Sequence, residues 1–402
     1  MKSLLIIALT LAIAGYLAFS PRLAGSERWK AMVTPLASIM GSGFLVSAPL
    51  LAHAVGRLAV ISMAVLLVLA YAVGGAVRFN IRHFEPIEND GSGAPQDVAF
   101  LSRVVLAGAY FISVTYYLQL LAIFLLDALG VHHDLLAKTI TTTLLVTIGG
   151  IGMWRGLDEL EKVETYAISL NLGMIGALIA SLLVYNASRL AAGTWALPDI
   201  PAELDLHSLR VLMGLLIVVQ GFETSRYLGD EHPAELRIAT MRSAQLVSGA
   251  IYLVFIGAVT ILFRADLGAD VTAVIRMTRP VAAVLPILLS VAAIGSQFSA
   301  AVADDSGAGG LIEDLTHRRL PIRYAYLLIL LITVALTWGT NVNAIIAYAS
   351  RGFALFYMLQ AVVAFLVAYQ SPTIPRRAFN LVRFSLVAII CFAVFLFGVP
   401  AG

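Results

Sequence analysis

The sequence is poor in charge and in cysteine. Only 12% of its 402 residues are charged, whereas soluble proteins carry roughly 25%. The formal net charge is +2, so the chain lacks the strong positive field that nucleic-acid binding requires. The single cysteine, Cys391, excludes an internal disulfide and any metal site built from cysteines.

Long apolar runs take the place of the missing charge. Hydrophobic residues make up 60% of the chain, and runs of about 18 or more such residues are typical of membrane-spanning helices. We predict twelve spans, joined by short polar segments that leave no room for a soluble domain. Their approximate ranges are 4–20, 31–53, 57–78, 100–128, 136–154, 163–187, 209–229, 240–263, 281–305, 324–340, 343–369 and 379–399.

The basic residues indicate the orientation of these spans. With both termini outside, lysine and arginine are about twice as frequent on the inside, in agreement with the positive-inside rule. A cleaved signal peptide over residues 1–20 would place Arg22, Arg28 and Lys30 outside, against this bias. A retained helix is therefore favoured over a cleaved leader, in a multi-pass protein of the bacterial cytoplasmic (inner) membrane.

The number of spans predicts an inverted repeat. An extra N-terminal helix (1–30) precedes five helices (31–187), an extracytoplasmic loop (188–208), five more helices (209–369) and a C-terminal helix (370–402). Because each unit has an odd number of helices, the second unit is inverted relative to the first. Inverted repeats are common in secondary transporters, where the substrate lies near the bilayer midplane between interrupted helices.

Each unit has a weak point in its first helix. Residues 41–43 (Gly-Ser-Gly), here named the first break, and residues 220–222 (Gln-Gly-Phe), named the second break, occupy corresponding places. Glycine is a poor helix former, and an interrupted helix is tolerated in a membrane where it lines a cavity. We expect both breaks to be non-helical and to face each other across a cavity. The alternative is that the glycines only allow close helix packing.

At these residues the chain resembles the amino acid–polyamine–organocation (APC) superfamily, whose fold is that of the leucine transporter LeuT. The stretch IMGSGFLVSAPLLAHAVG is similar to the family's G-[SA]-G-[IF] segment. The stretch GFETSRYLGDEHPAELRIATMRSA is similar to its G-F-E pattern, with Glu231, Pro233 and Arg237 at matching places. The second proline of that pattern is missing near Met241, and the extra first helix departs from the usual arrangement. The resemblance implies an all-α, LeuT-like fold with a 5+5 inverted repeat.

The resemblance also implies a substrate, an amino acid or related small zwitterion, held at the two breaks. The first break would bind its carboxylate, and carbonyl groups of the second break would receive its amine. Phe222 is either a gate above the site or an ordinary core aromatic. Glu223 either faces the amine or forms an ion pair with Arg226, three residues on, which is the favoured interpretation. The implied substrate-binding residues are Ser38, Gly41, Ser42, Gly43, Gln220, Gly221, Phe222 and Glu223.

Residues that could couple transport to an ion lie elsewhere in the spans. Asp304 and Asp305 would bind Na⁺ or H⁺, because ionisable residues inside a membrane are costly and are often functional. If the span ends at about residue 303, they lie in water instead. Ser296 and Ser299 could add hydroxyl ligands. Some proton-coupled relatives carry a lysine in core helix 5, where this sequence has Asn171, so a lysine-based mechanism is not expected. No other cofactor is expected.

The residues bear on several other possible functions. Transport of another small organic solute, such as an amine or a nucleobase, stays open, as do a channel and a transporter-like protein without transport. The resemblance implies that metal carriers have a carboxylate in the first break and a sulfur ligand in the second, and residues 41–43 and 221–223 offer neither arrangement. No H-E-x-x-H or G-x-S-x-G motif points to an enzyme. Membrane lipid is the expected partner besides substrate, and no oligomeric state is predicted.

Overall fold

The computed structural model describes residues 2–41, 43–89, 91–200, 204–229, 231–264, 266, 268–317 and 319–401, with the backbone alone for 24, 155 and 158–165. These residues form helices and turns and contain no β-strand. The α-helices are α1 (Lys2–Phe19), α2 (Pro21–Ala24), α3 (Glu27–Gly41), α4 (Phe44–Val55), α5 (Ala59–His83), α6 (Ala94–Ala128), α7 (Asp134–Arg155), α8 (Asp158–Ala191), α9 (Leu206–Gly214), α10 (Ala234–Val259), α11 (Ala273–Thr278), α12 (Leu285–Leu315), α13 (Ile322–Gly339), α14 (Val342–Gln370) and α15 (Arg377–Phe397).

The predicted all-α, multi-pass membrane protein is confirmed. Within the described residues, ten helical stretches are long and apolar enough to cross a membrane. One of them, Glu27–His83, has 57 residues and contains α3, α4 and α5, although one crossing needs only about 20. The interrupted segment 206–227 is not among the ten. The count of twelve spans and the inverted repeat stay predictions.

Helix α12 extends further than the sequence indicated. It continues without interruption to Leu315, at least a full turn past the predicted end of the span. Asp304 and Asp305 therefore lie within the helix and are buried, with exposed fractions of 9% and 4%. The alternative that placed them in water beyond a span ending at residue 303 is wrong.

The centre of the fold is α6, which packs extensively against both α12 and α14. In the most apolar window of α6, 78% of the residues are buried, compared with 11% in the stretch that contains α1. The N-terminal helix lies instead at the edge, against α8. A Cβ atom on Gly173 of α8 would lie 2.6 Å from the Thr10 carbonyl oxygen and 2.9 Å from the Ala14 Cβ. A small residue at Gly173 thus allows this close helix contact.

Candidate functional site

The first break separates α3 from α4 in the interior of the protein. Gly41 is the last residue of α3, Gly43 forms a bend, and α4 begins at Phe44, which is fully buried. Ser42 lies outside the described residues. The prediction that the first break is non-helical is therefore confirmed for Gly43 and wrong for Gly41, which is the last helical residue of α3.

Side chains from three neighbouring helices pair with the carbonyl groups at the end of α3. These carbonyls have no partner within the helix, because it ends there. An unpaired backbone group in the core of a membrane costs several kcal/mol, and a comparable cost applies to each of these carbonyls in an apolar interior. The donors are the Tyr252 hydroxyl to Ile39 (3.1 Å), the Asn171 amide to Met40 (3.4 Å) and the Ser296 hydroxyl to Gly41 (2.6 Å).

The second break interrupts the chain between α9 and α10. A 3₁₀ turn over Leu216–Val219 is followed by Gln220 in an extended conformation (ψ 176°) and Gly221 with a φ of +113°. That φ lies in the region that glycine adopts far more readily than other residues. A second 3₁₀ segment then runs over Phe222–Tyr227. Gln220 and Gly221 are therefore non-helical, whereas Phe222 begins the 3₁₀ segment.

Each break touches the other interrupted helix directly. A Cβ atom on Gly221 would lie 2.6 Å from the Ser38 carbonyl carbon, and one on Gly43 would overlap the backbone of Val218. The Tyr252 hydroxyl reaches both broken helices, because it also hydrogen-bonds to the Val218 carbonyl. The expectation that the breaks face each other across a cavity is wrong for this structure, because each glycine lets the opposite backbone come into contact.

A cavity of about 70 Å³ lies beside the first break instead. It is far smaller than the roughly 300–1,000 Å³ of a typical ligand pocket, and it has room for a few water molecules. Helices α3, α6, α8 and α12 and the second 3₁₀ segment border it. Six residues predicted for substrate or ion binding line it: Ser38, Gly41, Asn171, Ser296, Ser299 and Asp304.

Asp304 and Asp305 face different surroundings although they are neighbours in sequence. Asp304 borders the cavity and accepts a hydrogen bond from the Ser113 hydroxyl of α6. Asp305 borders a separate, mainly apolar pocket against α7 and α13, together with Thr333. Of these two carboxylates, Asp304 borders the cavity beside the first break and Asp305 does not.

Glu223 holds the second break in place. Glu223 is buried, with an exposed fraction of 1%. Its Oε2 accepts hydrogen bonds from the Gly221 N–H (3.0 Å) and the Tyr357 hydroxyl (2.8 Å). Phe222 is also buried and stacks on Tyr357 at 5.3 Å. Gln220 donates from Nε2 to the Tyr117 hydroxyl (3.1 Å). None of these side chains lines the cavity.

The favoured Glu223–Arg226 ion pair is wrong. Arg226 donates instead to the Gln360 side chain of α14 and lies 3.4 Å from Glu88. Residues three apart in a 3₁₀ segment do share a face, so the spacing did not prevent the pair. Each side chain instead contacts a residue that is distant in sequence. Glu223 contacts Tyr357, and Arg226 contacts Gln360.

The family-like motif after the second break has a structural role at its end. Arg237 of α10 forms an ion pair with Glu85 (2.7 Å) and donates to the Arg226 carbonyl (2.9 Å). It therefore ties the end of the second 3₁₀ segment to the turn after α5. Tyr252 and Ser113, which contact the breaks and Asp304, were not identified from the sequence because an isolated polar residue in an apolar span gives no sign of its partner.

The interrupted helices, buried in a bundle of long apolar helices, define a multi-pass membrane protein of transporter type. The family profile of APC superfamily transporters matches residues 21–398. A protein of Aquifex aeolicus (strain VF5), described as an uncharacterized protein, is 41% identical over 392 residues, which cover 95% of this chain and 94% of that relative. The chain belongs to the APC superfamily of transporters.

Solved structures share the fold at low sequence identity. A manganese transporter of Eremococcus coleocola, in complex with an aromatic bis-isothiourea substituted compound, is 16% identical with a TM-score of 0.58. The match covers 92% of this chain and 87% of that chain. A mutant of the same transporter has 15% identity, a TM-score of 0.60 and the same coverage. At this identity, the likeness shows the fold alone.

The contact between the breaks can be tested with Gly43→Ala. The added methyl group would overlap the Val218 backbone, and such overpacking typically costs about 1–3 kcal/mol. We expect a lower unfolding temperature for the purified variant in detergent. Gly295→Ala is the matched control, because a Cβ atom there meets nothing within 4 Å. Equal unfolding temperatures for the two variants would contradict the contact.

The role of Glu223 can be tested with two substitutions at one position. Glu223→Gln keeps an acceptor oxygen for the Gly221 N–H and the Tyr357 hydroxyl, whereas Glu223→Ala leaves both donors unpaired in the interior. An unpaired buried donor costs about 1–3 kcal/mol. We therefore expect Glu223→Ala to lower the unfolding temperature and the yield well below those of Glu223→Gln. Similar losses in both variants would show that the charge matters rather than the hydrogen bonds.

Proposed function

We propose that this protein is a secondary active transporter of an amino acid or a related small zwitterion, working by alternating access. The observation that carries the proposal is the meeting of two interrupted helices beside a small cavity lined by six of the predicted residues. Interrupted helices expose both positive and negative ends of the backbone in one place. A zwitterion carries the two complementary charges.

The start of α4 is the proposed site for the substrate carboxylate. The first N–H groups of a helix have no partner within it and attract negative charge. Phe44 begins α4 in the buried core, and Gly43 has no side chain with which to cap it. Because Val218 packs on Gly43 here, substrate binding at these N–H groups requires the two breaks to move apart.

Carbonyl groups of the second break are the proposed site for the substrate amine. The Gly221 carbonyl now accepts from the Thr224 hydroxyl (2.8 Å), and the Val218 carbonyl accepts from Tyr252. An ammonium group can replace either hydroxyl as donor. In this proposal Gln220, Phe222 and Glu223 support the shape of the second break. The side chains of Phe222 and Glu223 do this from within the buried core.

The chemistry around the cavity favours an organic substrate over a divalent metal. The related structures are those of a manganese transporter, and carboxylate and other oxygen ligands suit manganese. Among the described residues, the cavity is lined by one carboxylate, Asp304, and by no sulfur or imidazole group. An amine is the second candidate substrate, because the Asp304 carboxylate borders the cavity.

The proposal includes coupling to Na⁺ or H⁺ in the bacterial inner membrane. Asp304 is the proposed carrier of the cation, since it borders the cavity while Asp305 faces away from it. Ser299 lines the same cavity, and Ser296 and Asn171 bridge it to the end of α3. In this proposal, a cation bound at Asp304 changes the charge of the cavity that the end of α3 also borders.

Uptake by the purified protein in liposomes tests the substrate class. We expect accumulation of a radiolabelled amino acid, reduced about tenfold in Gly221→Ala because a side chain at a φ of +113° adds strain of about 1–3 kcal/mol. Gly295→Ala, with open space around its Cβ, should transport normally. Accumulation of an amine or nucleobase instead would favour the second candidate. The absence of accumulation or exchange for every amino acid would refute the proposal.

Neighbouring carboxylates supply a matched test of coupling. With sodium and pH gradients imposed separately, we expect Asp304→Asn to lose gradient-driven accumulation about tenfold or more while still exchanging substrate, since the cation loses its charged ligand. Asp305→Asn changes the same group one residue away, outside the cavity, and should keep coupling. If Asp305→Asn alone abolished the response to either gradient, Asp304 would not be the carrier.

A further inference from the structure

Three arginines from three helices form a cluster of uncompensated positive charge. Arg78 lies in α5, Arg242 in α10 and Arg383 in α15. Arg242 is exposed and the other two are half-buried. Arg78 hydrogen-bonds to Gln245, three residues after Arg242, and the Arg383 guanidinium lies on the α5 backbone at Gly75, so the three share one neighbourhood. No ion pair among the described residues joins any of them to a carboxylate.

Hydrogen bonds hold Arg78 in this arrangement. Arg78 donates to the Gln245 side-chain oxygen of α10, and its guanidinium lies 4.8 Å from the centre of the Tyr71 ring. Gln245 in turn donates to the Ala70 carbonyl (2.8 Å). Arg242 precedes Gln245 by three residues, so both lie on the same face of α10. Arg78 therefore points to the face that carries Arg242.

Gly75 leaves room for the side chain of the third arginine, Arg383. The Nη2 atom of Arg383 lies 3.4 Å from the Ala72 carbonyl oxygen. A Cβ atom on Gly75 would overlap the Arg383 guanidinium, which therefore lies directly on the backbone of α5. One carbonyl neutralises little of a full positive charge, so Arg383 keeps most of its capacity to bind an anion.

Other arginines in the same half of the molecule do have carboxylate partners. Such pairs lie at 2.6–2.8 Å, so their charge is locally balanced. They are Arg82 with Glu235, Arg103 with Asp314 and Arg237 with Glu85. The cluster of Arg78, Arg242 and Arg383 differs from them in lacking its counter-charge among the described residues.

The three arginines lie at similar distances from the ends of their helices. Arg78 is five residues before the end of α5, Arg383 six residues after the start of α15 and Arg242 eight residues after the start of α10. At 1.5 Å per residue these positions are about 8–12 Å from the helix ends. The positive-inside orientation puts those ends on the cytoplasmic side, where basic pockets between helices bind anionic head groups.

We propose that Arg78, Arg242 and Arg383 form a phosphate-binding site, filled by an anionic phospholipid of the inner leaflet. Arginine suits this ligand because its planar guanidinium donates two parallel hydrogen bonds to phosphate. A bound phosphate would also relieve the repulsion among the three side chains. The site is separate from the two breaks and does not depend on the transported substrate.

Native mass spectrometry of the full chain in detergent tests this site. We expect the protein to retain phosphatidylglycerol in preference to phosphatidylcholine. Arg242→Gln and Arg383→Gln should each weaken phosphatidylglycerol binding about fivefold, which corresponds to one arginine at a membrane surface. Arg323→Gln is the matched control, an exposed arginine at the start of α13 whose guanidinium lies over the ring of Tyr324. Equal loss in the control, or full retention in both cluster variants, would overturn the proposal.

Two further measurements separate the possible causes. Arg242 is exposed, so the unfolding temperature of Arg242→Gln without added lipid should equal that of the parent protein, which excludes misfolding. Inorganic phosphate at millimolar concentration should neither displace phosphatidylglycerol nor raise the unfolding temperature. If it did both, and only with Arg242 present, the site would take soluble phosphate and the lipid assignment would be overturned.

Discussion

Two helices that stop inside a membrane protein must find partners for their backbone groups, and the rest of this structure is arranged around that need. The Tyr252 hydroxyl lies at the junction, within hydrogen-bonding distance of the carbonyls of Ile39 and Val218. A hydroxyl has one hydrogen and can donate to only one of them at a time. The Tyr252 hydroxyl can therefore donate its hydrogen to either broken helix, but not to both at once.

The packing of α3 places neutral donors next to one acidic group. Asn171 and Ser296 hold the end of α3 without any net charge, and Asp304 borders the same cavity. Its position depends on α12, which continues past residue 303 and so keeps the carboxylate inside the protein. Ser299, Ser296 and Asn171 line the same cavity as Asp304, and the last two hold the end of α3.

The two breaks could be predicted because glycine weakens a helix locally, wherever the chain folds. Their direct contact could not, because it depends on how the backbone at Val218 meets Gly43 across the bundle. Tyr252 shows the same limit, since its two carbonyl partners lie 213 and 34 residues away in sequence. The wrong pairing of Glu223 with Arg226 has this cause too: local spacing allowed it, and the distant Tyr357 and Gln360 provided the actual contacts.

The contacts of the two broken helices differ in a way that bears on movement. The end of the second 3₁₀ segment is fixed by charged contacts, from Arg226 to Glu88 and from Arg237 to Glu85. The inner half of α3 instead borders the cavity, and its last carbonyls are held by single neutral hydrogen bonds. Neutral bonds of this kind contribute roughly half as much as charge-assisted ones. The end of α3 is therefore held less firmly than the end of the second broken helix.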